Sequence, residues 1–537
     1  MTERMGDKAH VEEKPLMKTP RTRREFLSDV GRGMLIATVG CEMAADLGLS
    51  TARAVEGPPD PLSFGSLERL VCMMQETPVD RLLPKLIDQL QSGTDLRRLV
   101  AAAALANART FGGEDYVGFH TMMALAPAFH ISQELPKERQ PLPVFKVLYR
   151  NTNRIQEHGG RKGEVLHPVK PGGFSEGRAG GEVLREAVRS KDVEKSEQIF
   201  AAIAKNSADD AFNQLLFAVH DHTEVHRVVL PYRAWDLLSV IGKEQAHTLL
   251  RQSVRYCVKA ESWQYNANAN EPRTLLPKLL EEYKLLDGSP GGRKAEDNWL
   301  DRLSQTIFNS SPKQAAEAMA AAAKEGFSPT DLGEAITLAA NQLVLRDMGR
   351  TPREEVPGKP VGSVHGDSIG VHATDSANAW RNMARVTNPR NCFASLILGA
   401  YQVALDRGAR GGDFLNWQPV PLARHLQEVT STKPEDLLKE ADEAIRGNLQ
   451  AKASAIVHRY GELGHPARQV FELLSRYAIS EDGALHAEKF YRTASEEFAS
   501  TRAPFRWRHV VALARVTASE FGRPAAGMAE ARALLKV

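Results

Sequence analysis

Four cysteines in 537 residues are too few for a disulfide framework. Cys41 lies near the N-terminus, and Cys72, Cys257 and Cys392 stand far apart. Each of these three reads as a small buried apolar residue, with a single disulfide as the alternative. Charge of one sign is also missing. The 69 Lys and Arg face 67 Asp and Glu, which leaves no basic footprint for nucleic acid. No stretch reaches the roughly 18 uninterrupted apolar residues of a membrane span, so the mature chain is expected to have no transmembrane helix. Alternating Val/Ile/Thr never continues beyond about five residues, which removes a β-sheet architecture. There is no serine elbow, phosphate loop or dinucleotide fingerprint; Gly159-Gly160 and Gly172-Gly173 follow no strand and read as loop.

Helical periodicity remains. Leu82, Leu83, Leu86, Ile87 and Leu90 recur at three and four, one face of a helix, with Pro84 tolerable only in its first turn. Thr94 or Asp95 can cap the next helix through a side-chain oxygen. Val100 to Ala108 is small and apolar, as suits a central helix packed closely by its neighbours. Residues 142–157, 182–205, 210–230 and 234–258 are amphipathic. The expected fold class is all-α.

The chain also says one thing twice. Thr94-Asp95-Leu96, an alanine-rich helix and Val117-Gly118-Phe119-His120 are echoed by Thr330-Asp331-Leu332, a second Ala/Leu helix and Ile369-Gly370-Val371-His372. His226 precedes His247 by 21 residues, as His465 precedes His486. A repeated order of this kind is how a duplicated domain reads. It predicts two pseudo-repeated helical halves, residues 55–288 and 289–537, packed into one large bundle or array. Within them, 159–181 is a Gly/Pro-rich loop of lid-like length and 347–370 a polar insertion just before His372. Residues 286–293 form the joint.

Residues 1–54 read as a separate export segment: Arg23-Arg24-Glu25-Phe26-Leu27, a modest apolar stretch from Met34 to Val39, and a small-residue exit at Ala52-Arg53-Ala54. The paired arginines followed by Phe-Leu resemble a twin-arginine (Tat) signal peptide, over residues 20–54 only. Asp29, Arg32, Glu42 and Asp46 depart from its apolar core. That resemblance implies the Tat translocase as partner, a periplasmic or extracellular destination, and cargo exported folded, often with a cofactor already loaded. Thr38-Val39-Gly40-Cys41 offers lipid attachment at Cys41 as the alternative.

The chemistry-bearing residues are histidines. His222-Thr223-Glu224-Val225-His226 would place His222 and His226 one turn apart on a helix, about 6 Å between Cβ atoms. Glu224 stands two residues after His222, not one, so the zinc-protease arrangement is excluded. His120 opens an otherwise apolar helix, and His372 opens another with Asp375 one turn on. If duplication folds matched helices together, His120, His226, His372 and His465 meet around one centre, with His222 as a further ligand candidate. Such nitrogen ligation suits Zn, Cu, Fe or Ni better than Mg or Ca. Asp375 and Glu224 are the candidate catalytic residues, as proton carriers or as partners orienting the ligands. Against strict equivalence, Val219-His220 precedes His226 by six residues while Val457-His458 precedes His465 by seven. Arg227, Tyr232, Arg233 and Trp235 could bind an anion or form an interface.

The His-Ala-Thr start at 372, with Asn378-Ala379, resembles questin-oxidase-like all-helical proteins over about ten residues. It implies a buried pocket led by histidines and oxygen-dependent chemistry on an aromatic or polyketide-like substrate. Two functions follow as expectations. One is an exported transition-metal enzyme, an oxidoreductase or metal-assisted hydrolase, acting on a small molecule between the two halves. The alternative is a non-catalytic helical binding or scaffold protein whose histidines are structural.

Overall fold

The structure, a computed structural model, describes residues 61–173, 179–263, 270–409 and 414–537. The export segment expected at 1–54 lies outside them, as does part of the 159–181 loop. The fold is all-α. Among the described residues the only β pairing is three isolated bridges, Arg293 with Phe327, Val356 with Lys359, and Glu481 with Pro524.

The helices run α1 Glu68–Glu76, α2 Leu82–Gln91, α3 Leu96–Phe111, α4 Tyr116–Glu134, α5 Pro141–Glu157, α6 Gly180–Arg189, α7 Val193–Ile203 and α8 Ala208–Val219. They continue with α9 Val225–Ile241, α10 Ala246–Ala260, α11 Pro272–Glu282, α12 Asp297–Asn309, α13 Pro312–Lys324, α14 Pro329–Arg346, α15 Ile369–Val386 and α16 Pro389–Asp406. The last are α17 Ala423–Gln427, α18 Pro434–Arg446, α19 Gln450–Glu462, α20 Ala467–Ser480, α21 His486–Ser500, α22 Trp507–Glu520 and α23 Met528–Leu535. Leu62–Val537 form a single unit, so both expected halves share one core.

Local rules explain most boundaries. Asp95 caps α3 by accepting from Arg98 N, and Asp115, Ser328 and Ser368 cap α4, α14 and α15 in the same way. Pro84 falls in the first turn of α2, where its missing N–H costs nothing. The long amphipathic stretches are broken where polar links intervene. Residues 182–205 divide at Lys191, whose φ is 61°, and 210–230 divide between Val219 and Val225.

Four helices close into a ring. α4 packs on α9, α9 on α15, α15 on α21, and α21 back on α4. The alanine-rich α3 and α14 back α4 and α15, and from Leu99 to Phe111 every α3 residue is buried. Gly118 and Gly370, each two residues before a histidine, permit this close backing. A Cβ on Gly118 would lie 2.5 Å from the Phe111 ring, and one on Gly370 2.6 Å from Val344 N. α10 and α22 support α9 and α21 from outside.

Candidate functional site

The ring of helices carries a ring of imidazoles. His120 of α4, His226 of α9, His372 of α15 and His486 of α21 follow one another in the same cyclic order as their helices. Centroids are 4.9 Å apart for His120–His226, 5.9 Å for His226–His372, 5.2 Å for His372–His486 and 5.1 Å for His486–His120. The inner nitrogens meet in two pairs: Nε2 of His120 and His226 at 3.3 Å, and Nε2 of His372 and His486 at 3.1 Å.

What the outer nitrogens do fixes what the inner ones present. Nδ1 of His120 lies 2.7 Å from the Tyr116 carbonyl one turn back. Nδ1 of His226 lies 2.7 Å from Glu224 Oε1. Carbonyl and carboxylate oxygens only accept, so both Nδ1 atoms carry hydrogen and, in the neutral rings, both Nε2 atoms are bare lone pairs aimed at each other. Two facing lone pairs need a proton or a cation between them. Neighbouring nitrogens of a tetrahedral centre with metal–nitrogen bonds of about 2.0–2.1 Å lie about 3.3 Å apart, which both observed separations approach. Among the described residues, no group of three or more His, Cys, Asp or Glu side chains is placed to hold a metal ion. The convergence is in pairs.

Electrostatics favour the neutral form of three rings, His120, His372 and His486. Burial, then the charge of Lys489, lowers the pKa of His120 and His486 well below that of a free imidazole. Burial and His226 bring His372 to about 3. The N-terminus of α21 adds to this at His486, which sits in its first turn where partial positive charge disfavours an imidazolium.

Glu224 is the most connected group at the site. It caps α9, accepting from the backbone N–H of His226 and Arg227, and also accepts from Tyr256 Oη at 2.8 Å. Burial alone would raise its pKa, but the hydrogen bonds it accepts, from His226 first and from Tyr256, outweigh that and hold it at about 2. Asp375, one turn beyond His372, accepts from Thr493 Oγ1 at 2.8 Å, and Thr493 accepts from Arg233. Burial raises the Asp375 pKa against the pull of Lys489 and Arg233. Burial lowers Lys489, one turn beyond His486, to about 8, with Asp375 pulling the other way. A buried acid and a buried amine, both moved toward neutrality, therefore stand beside the second pair of rings.

Aromatic rings and the 347–370 insertion close the surroundings. Tyr116, 60% exposed, lies 4.4 Å from His120 and forms the outward wall, with Phe119 packed 4.9 Å from His120 and 5.0 Å from His226. The insertion is pinned by Gly362 N donating to Arg350 O, by Asp367 between Arg350 and Lys359, and by Gly366 N donating to Glu520 Oε1. Ser368 then starts α15 and delivers His372.

Two of the residues expected at the centre stand elsewhere. His465 lies outside the ring, its Nε2 on the Thr432 carbonyl at 2.8 Å and its ring against Tyr460. His486 takes the place expected for it. The repeated 21-residue spacing is a coincidence at this point, because His465 leads into α20 rather than α21. His222 is not one turn from His226, since Glu224 is extended and α9 begins only at Val225; His222 Nδ1 accepts from Glu224 N. Arg227 and Arg233 are fully buried, hydrogen-bonded to Glu261 and Thr493 respectively. The residues missed by the sequence reading are His486 and Lys489. One signal was present: α9 and α21 are each followed by another helix whose first residue comes 21 positions later, at Ala246 and Trp507, and this spacing pairs His226 with His486.

No protein-family model, no curated protein and no solved structure matches the chain.

Proposed function

We propose that the protein is a transition-metal enzyme whose ligands are Nε2 of His120, His226, His372 and His486, seated at the seam between two duplicated helical halves. The single observation that carries the reading is the pairing of inner nitrogens, with the outer nitrogens of His120 and His226 committed to acceptors. When bound, a cation there supplies Lewis acidity or electron exchange. The chain supplies the rest. Glu224 holds the His226 ring in its ligating tautomer. Asp375 and Lys489 hold or pass protons beside the reacting centre. Tyr116 and Phe119 screen it from water. Oxidation of a small molecule is the preferred class, supported by the resemblance around His372. Passage through the Tat translocase to the periplasm or beyond, with metal loaded before export, fits both the paired arginines and the buried ligands.

Metal analysis of the full chain produced with its export system tests this. About one equivalent of a single transition metal per chain, with melting lowered by chelation, is expected. Less than about 0.2 equivalents of any such metal, with melting unchanged by chelator, would overturn it. The facing nitrogens would then share a proton, and the histidines would belong to a scaffold.

A further inference from the structure

A second concavity of roughly 1170 Å³ lies between the end of α4, the start of α5 and helices α18, α20 and α21, and none of the four histidines lines it. Its floor is aromatic. Phe471 meets Tyr491 edge-on at 5.9 Å and Phe498 at 5.4 Å, and Tyr477 meets Phe521 at 5.6 Å. Its walls are charged, and the charges do not cancel. Each of the three carboxylates is already engaged: Glu134 accepts from Tyr491 Oη at 2.7 Å, Asp442 from Tyr477 Oη at 2.7 Å and from Arg446 at 2.8 Å, and Glu472 pairs with Arg468 at 2.8 Å. Arg139, Arg476 and Arg532 line the same space with no carboxylate partner among the described residues.

We propose that this groove binds a small organic anion with a flat apolar body, its carboxylate held by the arginine rim and its body laid on Phe471 and Phe498. An apolar floor alone would accept any greasy molecule. Uncompensated guanidinium groups favour an anion, because a planar fork pairs with a carboxylate through two parallel hydrogen bonds. Five arginines line the groove against three carboxylates, so its net charge favours an anion over a cation. The volume is that of a small-molecule site and exceeds what a single benzene ring fills.

The probe is 2-naphthoate, titrated into the full chain by calorimetry, with uncharged 2-naphthylmethanol as its twin. Saturable binding of the anion is expected, weakened by salt, with the alcohol at least about tenfold weaker. Arg139→Ala combined with Arg476→Ala removes two exposed side chains, leaves folding intact, and is expected to weaken 2-naphthoate about tenfold without changing metal content. Phe471→Ser is expected to weaken both compounds. Equal affinity for acid and alcohol, or an unchanged affinity in the arginine double variant, would overturn the proposal. So would loss of binding in His486→Ala with the arginine variant unaffected, because the acid would then sit at the histidine ring.

Discussion

The two halves of the histidine ring are built alike and furnished differently. In the first pair both outer nitrogens are anchored, by a helix carbonyl at His120 and by a buried carboxylate at His226. One turn further along their helices stand Met123 and Val229, which only pack. In the second pair the outer nitrogen of His486 is buried without a hydrogen-bond partner, and the residues one turn on are Asp375 and Lys489. One side holds its rings firmly and offers no proton. The other holds at least one ring less firmly and brings an acid and an amine. The two sides of the ring therefore differ in kind, with anchored nitrogens on the first and a titratable acid and amine on the second.

Removing one ring from each side breaks the comparison most severely. His226→Ala and His486→Ala should each abolish stoichiometric metal, a loss of more than about a hundredfold in affinity. If only one of them does so, in metal content measured on purified protein, the ring is not a single centre. Glu224→Gln comes next. It keeps the shape but weakens the hold on His226 Nδ1, and should cost about 10- to 100-fold in metal affinity, read by competition with a chromophoric chelator. No equally strong counterpart should emerge around the less anchored His486.

Acid probes both sides together. The folded-state pKa of His372 is about 3 against roughly 6.5 in an unfolded chain, and those of His120 and His486 are lowered too. Between those values the unfolded state binds more protons. The contribution of neutral, buried imidazoles is therefore fully present above about pH 6.5 and lost as pH falls toward 3. Metal-free protein should lose up to about 1.4 kcal/mol per pH unit for each such histidine, measured by denaturant titration. Stability that is flat from pH 7 to 4 would contradict their burial as neutral rings.

Asp375→Asn and Lys489→Met sharpen the division further. Metal content should be preserved, whereas the pH at which the d–d bands of the cobalt-substituted protein shift should move by about one unit. Met123→Leu and Val229→Ile, their first-half counterparts, should leave it in place. The smallest effect belongs to the turn before α21. Ala484 and Leu485 have φ of 48° and 65°, a left-handed pair that side chains disfavour by about 1–2 kcal/mol each. Ala484→Gly should therefore raise the melting temperature of the metal-free protein by only about one degree.

Much of the fold could be read from the chain because helix periodicity and caps are local. Pro84 in a first turn, Asp95 as a cap and the buried run after Val100 all follow from neighbours within a few residues. Breaks at Lys191 and between Val219 and Val225 were hidden, since amphipathic spacing runs through them while backbone conformation does not. At the site, His120 and His372 were legible as residues at helix starts with Asp375 one turn on, whereas His226 and Glu224 were read inside a helix that in fact begins only at Val225. His486 was not assigned there because histidine spacing was matched instead of helix spacing. Lys489 gave no local sign, as its meaning comes only from α15 and α4 closing over it.

The left-handed pair at Ala484 and Leu485 also decides where the ring can come undone. Three of its imidazoles continue from relaxed, capped helix starts, whereas the fourth hangs from a turn under tension. Letting that turn relax would swing a single side chain outward and leave the other three as a preformed cup. The ring is thus closed like a carabiner, with three fixed sides and one held shut against a spring.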